Sequence, residues 1–205
     1  MKITISRPSP APGQTRRWLL WGPRLLMIAG MVMLGYVGYT FLEARLYQAS
    51  AKASLETQIQ MASAPHASEV QQPVKTGDVL GRMDIPRLGI SVAVLQGTSS
   101  RTLRLGAGHM EDTPLPGKPG NSGIAGHRDT FFRELRNVRN LDEIQLQTAT
   151  GLLRYQVDWV KVVGPDDMTV LEPTANDSTL TLVTCHPFYF VGPAPNRFVV
   201  HAHKE

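Results

Sequence analysis

The chain has 205 residues, with 21 Lys and Arg against 17 Asp and Glu, so its formal net charge is +4. The excess of positive charge lies in residues 1–24, which contain five basic residues and no acidic one; without a basic surface elsewhere, the composition argues against nucleic acid as a partner. The only cysteine is Cys185, which excludes an internal disulfide framework and any zinc site built from several thiolates.

An uncharged apolar segment follows the basic tail. Residues 25–42 read LLMIAGMVMLGYVGYTFL, and at a rise of 1.5 Å per residue a helix of this length nearly crosses a bilayer. We predict a transmembrane helix over residues 25–42 and a cytoplasmic tail over residues 1–24, because basic flanks stay on the cytoplasmic side. The rest of the chain is then extracytoplasmic. A cleaved signal peptide and a buried core helix are the alternatives, and the length and the uninterrupted apolar character of the segment favour a membrane anchor over both.

Beyond the apolar segment, the chain divides by composition. Good helix formers continue to about residue 60, which predicts that the membrane helix extends outward. Residues 61–75 are rich in Ala, Ser and Gln and contain two prolines, as is typical of a linker. We therefore place the catalytic or binding domain in residues 76–205, a length sufficient for one ordinary hydrophobic core.

This domain reads mainly as strand. Alternating apolar residues predict strands, and a Thr150-Gly151 turn between two of these strands predicts a hairpin. Ser99 is placed to cap a helical turn that ends at Leu105, and Phe131, Leu135 and Val138 share one face of a second short helix. Many short strands with little helix indicate a closed antiparallel barrel or a sandwich. The predicted strands cover residues 79–85, 90–94, 121–126, 144–146, 153–159, 179–185 and 197–203.

Cys185 ends one of these predicted strands. In TLTLVTC the alternation places Leu180, Leu182 and Thr184 on one face and Cys185 on the other, at the rim of the sheet. A lone cysteine is often a small packed hydrophobe. In an exported domain, however, an unpaired thiol is a liability unless it is protected or used, so we treat Cys185 as a candidate nucleophile.

Arg197 is predicted to lie beside Cys185. Residues 186–196 (HPFYFVGPAPN) are too rich in proline and aromatic residues to extend a strand, so they form a loop that joins two strands. If these strands are antiparallel, the end of one meets the start of the next. A guanidinium at that place favours a thiolate or holds a developing oxyanion; the alternative is a solvated charge on an edge strand.

A cysteine nucleophile also needs a proton carrier, and His127 is the first candidate among six histidines. It follows the short strand NSGIAG, which places it at a strand end, although a histidine there also serves to hydrogen-bond a loop. His109 is the second candidate. His201 and His203 share a strand face, but a lone H-x-H without further ligands is weak evidence for a metal site. His186 points away from its neighbour Cys185.

These motifs together resemble the sortase family. The TLVTC strand end is similar to the TLxTC signature of sortases, His127 in AGHRD resembles their catalytic histidine, and Arg197 resembles their active-site arginine. The segments GNSGIAGHRDTFFREL, TLTLVTCHPFYFVGPAPNRFVVHA and IPRLGI are most similar to class D sortases, and the resemblance covers roughly residues 78–203. It implies an eight-stranded β-barrel with short helices behind an N-terminal membrane anchor.

The resemblance also implies an activity. Cys185 is expected to attack an LPxTG-like sorting signal and form a thioester, with His127 as acid and base. Arg197 is expected to hold the oxyanion or position the substrate backbone, and Thr184 to assist substrate contact. The implied partners are proteins with a C-terminal sorting signal and an amine acceptor, either a cell-envelope peptide or a pilin lysine. No cofactor is implied. An acidic loop that contains Asp166, Asp167 and Glu172 leaves open whether calcium modulates the protein.

Two alternatives to a sortase stay open from the residues alone. Another exported thiol hydrolase or transpeptidase shares the nucleophile and the compartment. A papain-like order is disfavoured, because the papain cysteine lies on a helix before its histidine, whereas His127 precedes a strand-borne Cys185. The second alternative is a membrane-tethered β-domain that only binds, with Cys185 as packing.

Overall fold

The computed structural model describes residues 14–62, 74–174, 177–190 and 192–205. Most of the predicted linker, residues 63–73, and residues 1–13 of the predicted tail lie outside the described residues. The chain divides into two compact units, Met1–Glu43 and Ala44–Glu205. The first contains most of an apolar helix, and the second contains the sheet.

The apolar helix, α1, spans Gln14–Ala62. It contains the whole predicted segment 25–42 and extends it in both directions. Within α1, the candidate span is Pro23–Tyr47, and an 18-residue window of it has a mean hydropathy of 1.9, with none of that window buried by protein. Large exposed apolar side chains of this kind are costly in water and favourable in a bilayer. The helix is therefore a candidate membrane span by its length and composition.

Eight strands form a closed barrel in the second unit, which confirms the predicted mainly-β, eight-stranded fold. Around the barrel the strand order is β1-β2-β3-β4-β7-β8-β6-β5. The strands are β1 Val79–Ile85, β2 Ile90–Gln96, β3 Ala107–His109, β4 Gly120–Ala125, β5 Glu143–Thr148, β6 Gly151–Val163, β7 Ser178–His186 and β8 Asn196–Lys204. Short helices lie between them: α2 Ser100–Leu105 and the 3-10 turns Pro86–Leu88, Arg133–Asn137 and Thr169–Leu171.

The core fills the barrel as the alternation predicts. Along the strands, most apolar residues of the inward face are almost completely buried, which is the main stabilising contribution to such a fold. The predicted helix cap is confirmed, since Ser99 Oγ accepts a hydrogen bond from Thr102 N at 3.2 Å. The buried interior residues include Met83, Ile85, Val92, Val94, Ile124, Ile144, Leu146, Tyr155, Val157, Leu180, Leu182, Val200 and Ala202.

Three details differ from the sequence-based expectation. The barrel is not fully antiparallel, because β3 runs parallel to β2, and β7 runs parallel to β4. The strand β3 was not predicted, since three residues are too few to show an alternation. The second predicted helix is only the 3-10 turn Arg133–Asn137; Phe132, and not Phe131, is the fully buried aromatic there, so the apolar spacing does not follow one helix face.

The position of β7 determines what meets at one end of the barrel. It lies between β4, to which it is parallel, and β8, to which it is antiparallel. The C-terminal ends of β4 and β7 and the N-terminal start of β8 are consequently neighbours.

Candidate active site

Cys185 lies in the last part of β7, on the outer face of the barrel. Leu180 and Leu182 belong to the interior core, so the alternation of the strand directs Thr181, Val183 and Cys185 outward. The thiol is free and Cys185 is half-buried. The residue is therefore presented at a strand end and is not sealed in the core.

Arg197 is the direct cross-strand partner of Cys185 in the antiparallel β7–β8 ladder. Directly opposed residues project to the same face, with their Cβ atoms about 4.5–5.5 Å apart. Its Nη1 donates to Ala194 O at 3.3 Å and to Asn196 O at 3.1 Å. Within the described residues, no carboxylate forms an ion pair with Arg197, so its positive charge is not cancelled by an acidic group.

His127 follows the end of β4, the strand that pairs in parallel with β7 on the side away from β8. The β4–β7 register runs from Gly120 with Ser178 to Ala125 with Val183. If the same register is extended by two residues beyond the end of β4, it brings His127 level with Cys185. The ladder does continue by one hydrogen bond, from Gly126 N to Val183 O at 3.1 Å. His127 is exposed and therefore accessible to a substrate.

The segment around His127 is held on both sides. Thr184, 3 % exposed, donates its hydroxyl to Gly126 O at 2.7 Å. Phe132 N donates to His127 O at 3.0 Å. A Cβ on Gly126 would lie only 2.6 Å from the Phe132 ring, so glycine is required there by close approach. These contacts fix the backbone from which His127 projects.

The predicted residues thus fall at one end of the barrel, although their roles stay predictions. Cys185 and Arg197 are strand partners, and His127 leaves the neighbouring strand end. The hydroxyl of Thr184 is bound to the backbone, which gives this residue a structural contact besides the predicted contact with substrate. Asp129 is exposed, and the described hydrogen bonds do not join it to His127.

His109, the second histidine candidate, is 1 % exposed in β3. Its Nδ1 lies 2.9 Å from Gln96 Oε1, and its Nε2 lies 3.0 Å from Pro114 O and 3.2 Å from Thr113 Oγ1. Burial lowers the pKa of His109, against a smaller opposing contribution from the Pro114 carbonyl. Both ring nitrogens are occupied inside the protein, which indicates a structural residue.

His201 and His203 both approach Asp158 of β6. His203 Nδ1 lies 2.5 Å from Asp158 Oδ1, and His201 Nε2 lies 4.0 Å from Oδ2. His201 Nδ1 is also 3.0 Å from Thr181 Oγ1, and its ring stacks on Trp159 with centroids 4.8 Å apart. Burial lowers the pKa of His201. No group of three His, Cys, Asp or Glu in the described part of the chain is placed to hold a metal ion.

In the acidic loop that was considered for calcium, Asp167 binds the backbone and side chain of a nearby residue. Asp167 Oδ1 accepts hydrogen bonds from Thr169 N at 3.1 Å and from Thr169 Oγ1 at 2.6 Å. Asp167 thereby stabilises the start of the 3-10 turn Thr169–Leu171, while Asp166 and Glu172 are exposed.

A cavity of about 320 Å³ lies elsewhere in the barrel. It is lined by the β5–β6 turn and by apolar side chains from β1, β6 and the β3–β4 loop. The β5–β6 turn is at the start of β6, whereas the end of β6 pairs with the start of β8, where Arg197 lies. The cavity is therefore at the opposite end of β6 from Cys185.

One well-connected residue was not singled out from the sequence. Arg128, next to His127, donates hydrogen bonds to carbonyl oxygens of the β7–β8 loop, about sixty residues further along the chain. Its position beside a candidate histidine was the only signal available, because contacts with backbone carbonyls leave no pattern in side-chain identities.

Comparison with known proteins agrees with this geometry. The family model described as the Sortase domain matches residues 83–205. Sortase D of Bacillus subtilis (strain 168) is 29% identical over 191 residues, which cover 89% of this chain and 96% of that protein. Sortase A of Bacillus anthracis is 27% identical over 177 residues, which cover 78% and 83%.

Solved structures with the same barrel include a Clostridium perfringens sortase D5 transpeptidase, which is 28% identical with a TM-score of 0.64 and matches over 75% of this chain and 97% of that one. Sortase A from Corynebacterium diphtheriae is 26% identical with a TM-score of 0.60, over 86% of this chain and 95% of that one. The similarity therefore extends over nearly the whole of each of these solved chains.

Proposed function

Since the chain belongs to the sortase family of cysteine transpeptidases and is similar to its class D members, we propose that it cleaves an LPxTG-like sorting signal and transfers the protein to an amine. Cys185 is the nucleophile, His127 the acid and base, and Arg197 the stabiliser of the oxyanion. The observation that supports this proposal is the meeting of three strand ends: Arg197 is the cross-strand partner of Cys185, and His127 follows the end of β4, which pairs with the other edge of β7.

The first half-reaction forms an acyl-enzyme. The Cys185 thiolate attacks the carbonyl carbon of the signal's threonine, and a carbon–sulfur bond forms while negative charge moves to the carbonyl oxygen. Arg197, without an acidic partner among the described residues, stabilises that oxyanion. His127 donates a proton to the amide nitrogen. The carbon–nitrogen bond then breaks, the C-terminal fragment leaves as an amine, and a thioester remains.

The second half-reaction transfers the acyl group. His127, now unprotonated, takes a proton from the incoming amine, which attacks the thioester carbonyl. A new amide bond forms, and the sulfur of Cys185 leaves as the thiolate. The acceptor is an amine of a cell-envelope peptide or of a pilin lysine, and either supplies the same nucleophile.

Small side chains support a binding surface for the sorting signal. On the outer face, β4 contributes Gly123 and Ala125 beside Val183 of β7. Gly123 itself is buried, since a Cβ there would lie 3.0 Å from both Leu171, in the turn before β7, and Met110. These side chains therefore cover Gly123 and bound the surface that the partly exposed Ala125 and Val183 present. An extended peptide on this surface would reach Cys185 at its end.

The test is a search for the thioester by mass spectrometry. A protein beginning at Lys75, mixed with an LPETG peptide, is expected to gain the mass of the peptide's acyl part at Cys185. Cys185→Ala is expected to abolish cleavage while keeping the wild-type thermal unfolding midpoint. A folded wild-type protein that forms no adduct with any LPxTG-like peptide would refute the proposal.

We place the barrel outside the cytoplasmic membrane, with α1 as a single-pass anchor. Support comes from the apolar span Pro23–Tyr47 and from the basic residues before it, which stay inside. Because Cys185 is the only cysteine, a membrane-impermeant maleimide applied to intact cells should label the full chain and not Cys185→Ala. Labelling that requires cell lysis would reverse this topology.

A further inference from the structure

Arg128 holds the loop that connects the two strands of the active site. Its Nη1 donates to Pro187 O at 2.7 Å. Its Nη2 donates to Phe190 O at 2.5 Å and to Gly192 O at 3.3 Å. A guanidinium can serve three acceptors in one plane, which a lysine cannot reproduce. One side chain therefore fixes three backbone carbonyls of a six-residue stretch.

A second arginine, Arg136, also binds the β7–β8 loop. Arg136 Nη1 donates to the Tyr189 hydroxyl at 2.7 Å, and its guanidinium carbon lies 5.5 Å from the centre of the Tyr189 ring. Glu134 orients Arg136 through a hydrogen bond of 3.1 Å. Both arginines come from the connection between β4 and β5, residues 126–142, which also carries His127 near its start.

The contacts of Arg128 matter for the site because the β7–β8 loop lies between two of its residues. Cys185 precedes the loop and Arg197 follows it, while His127 is the residue immediately before Arg128. Arg128 is thus bonded through the backbone to the histidine and through hydrogen bonds to the segment between the cysteine and the arginine. No other described residue joins all three parts of the site in this way.

We propose that Arg128 is a positioning residue that sets His127 against Cys185 and Arg197 by holding the β7–β8 loop. The role of Arg128 does not rest on an ion pair, because its partners are carbonyl oxygens and no carboxylate among the described residues pairs with it. Arg136 assists by holding the Tyr189 side chain, and its effect is smaller because it binds no backbone atom of the loop. This inference rests on the proposed transpeptidase function, for which it adds a residue that does not touch substrate.

The test compares Arg128→Gln and Arg128→Lys with wild type in single-turnover acylation by the LPETG peptide. Misplacing reacting groups by about 1 Å costs up to about 100-fold in rate, so Arg128→Gln should acylate about 10- to 100-fold more slowly. Arg128→Lys keeps the charge but loses the planar set of donors, so its acylation rate should lie between those of wild type and Arg128→Gln. The peptide concentration for half-maximal rate should change little, since Arg128 does not contact the peptide.

Arg133→Gln is the matched control. Arg133 is exposed on the same connection, and this variant should acylate at the wild-type rate. Hydrogen exchange supplies a readout that does not need activity: amides of the loop residues 188–190 should exchange faster in Arg128→Gln, while those of β1 and β2 stay as in wild type.

The outcomes separate this inference from the function it rests on. A wild-type protein that forms no thioester overturns the proposed function, whereas exchange in the loop still reports on the Arg128 contacts. An active wild type with an equally fast Arg128→Gln variant overturns the positioning role. An activity loss matched by an equal loss of folded protein in thermal unfolding also overturns it, because that result assigns Arg128 to general stability.

Discussion

Two arginine-rich regions of the barrel use their positive charges in opposite ways. At the corner formed by the Pro86–Leu88 turn, Arg87 forms a bidentate ion pair with Asp142 and donates to Asn137 O at 2.7 Å. At the Cys185 end, Arg128 and Arg197 donate only to backbone carbonyls among the described residues.

The two regions differ in whether the positive charge of the guanidinium is neutralised by its partner. A carboxylate cancels the charge of a guanidinium, and the pair then contributes mainly to stability. A carbonyl oxygen carries only a partial charge, so it orients the guanidinium and leaves its field available to a developing anion. The corner is therefore suited to holding β1, β2 and β5 together, and the Cys185 end to stabilising negative charge during a reaction.

The largest loss of activity is expected when the planar guanidinium of Arg197 is replaced at the Cys185 end. Arg197→Lys keeps a positive charge but loses the planar pair of donors. We expect kcat/KM for the sorting peptide to fall about 100-fold, the usual cost of one oxyanion donor, with an unchanged unfolding midpoint.

Arg87→Lys is the matched substitution at the corner. It should lower the unfolding midpoint while each folded molecule keeps the wild-type activity. If Arg197→Lys turns over normally, or if Arg87→Lys is the variant that loses turnover, the assignment of the two regions is reversed.

A smaller effect is expected where a hydroxyl, not a charge, binds a carbonyl. Thr184→Val keeps the shape of the side chain and removes the hydrogen bond to Gly126 O. Since Gly126 precedes His127, we expect kcat to fall about tenfold, as for loss of roughly one well-placed hydrogen bond.

Thr184→Ser retains the hydroxyl and should keep most of the activity. Steady-state kinetics separates the two roles of Thr184: a lower kcat supports the positioning of His127, whereas a higher KM alone supports the predicted contact with substrate.

The fold was predictable where the pairing is local. Residues 151–163 form the second arm of a hairpin whose alternation and turn are visible in the sequence, and the structure has that hairpin. The parallel pairing of β4 with β7 was not predictable, because the two strands are far apart in the chain and parallel neighbours need a long connection. The short β3 was missed because three residues carry no period.

In the candidate site, too, contacts between neighbouring segments of the chain were predictable and contacts between distant segments were not. Cys185 and Arg197 were expected to meet because one loop joins their strands, and they are cross-strand partners. The place of His127 depends on the parallel β4–β7 register, which no local pattern encodes. The contacts of Arg128 were invisible for a further reason, since any residue can supply the carbonyl oxygens that it binds.

The corner itself gives a test that depends on pH. Asp142, with a side chain 7% exposed, also accepts a hydrogen bond from Arg139 N at 2.8 Å. The hydrogen bond from Arg87 holds the pKa of the Asp142 carboxyl below its usual value. Because the folded chain then releases this proton more readily than the unfolded chain, the contribution to stability is complete above about pH 4 and is lost as the pH falls through the folded pKa.

Asp142→Asn should therefore lower the free energy of unfolding at pH 7 by about 1–2 kcal/mol, and the difference from wild type should shrink toward pH 3. Denaturant unfolding at several pH values measures this difference, and peptide cleavage per folded molecule should stay at the wild-type level. A difference that is constant from pH 7 to pH 3 would mean that the carboxylate charge contributes nothing at this corner. Arg87 would then be held by carbonyl oxygens alone, like Arg128 and Arg197.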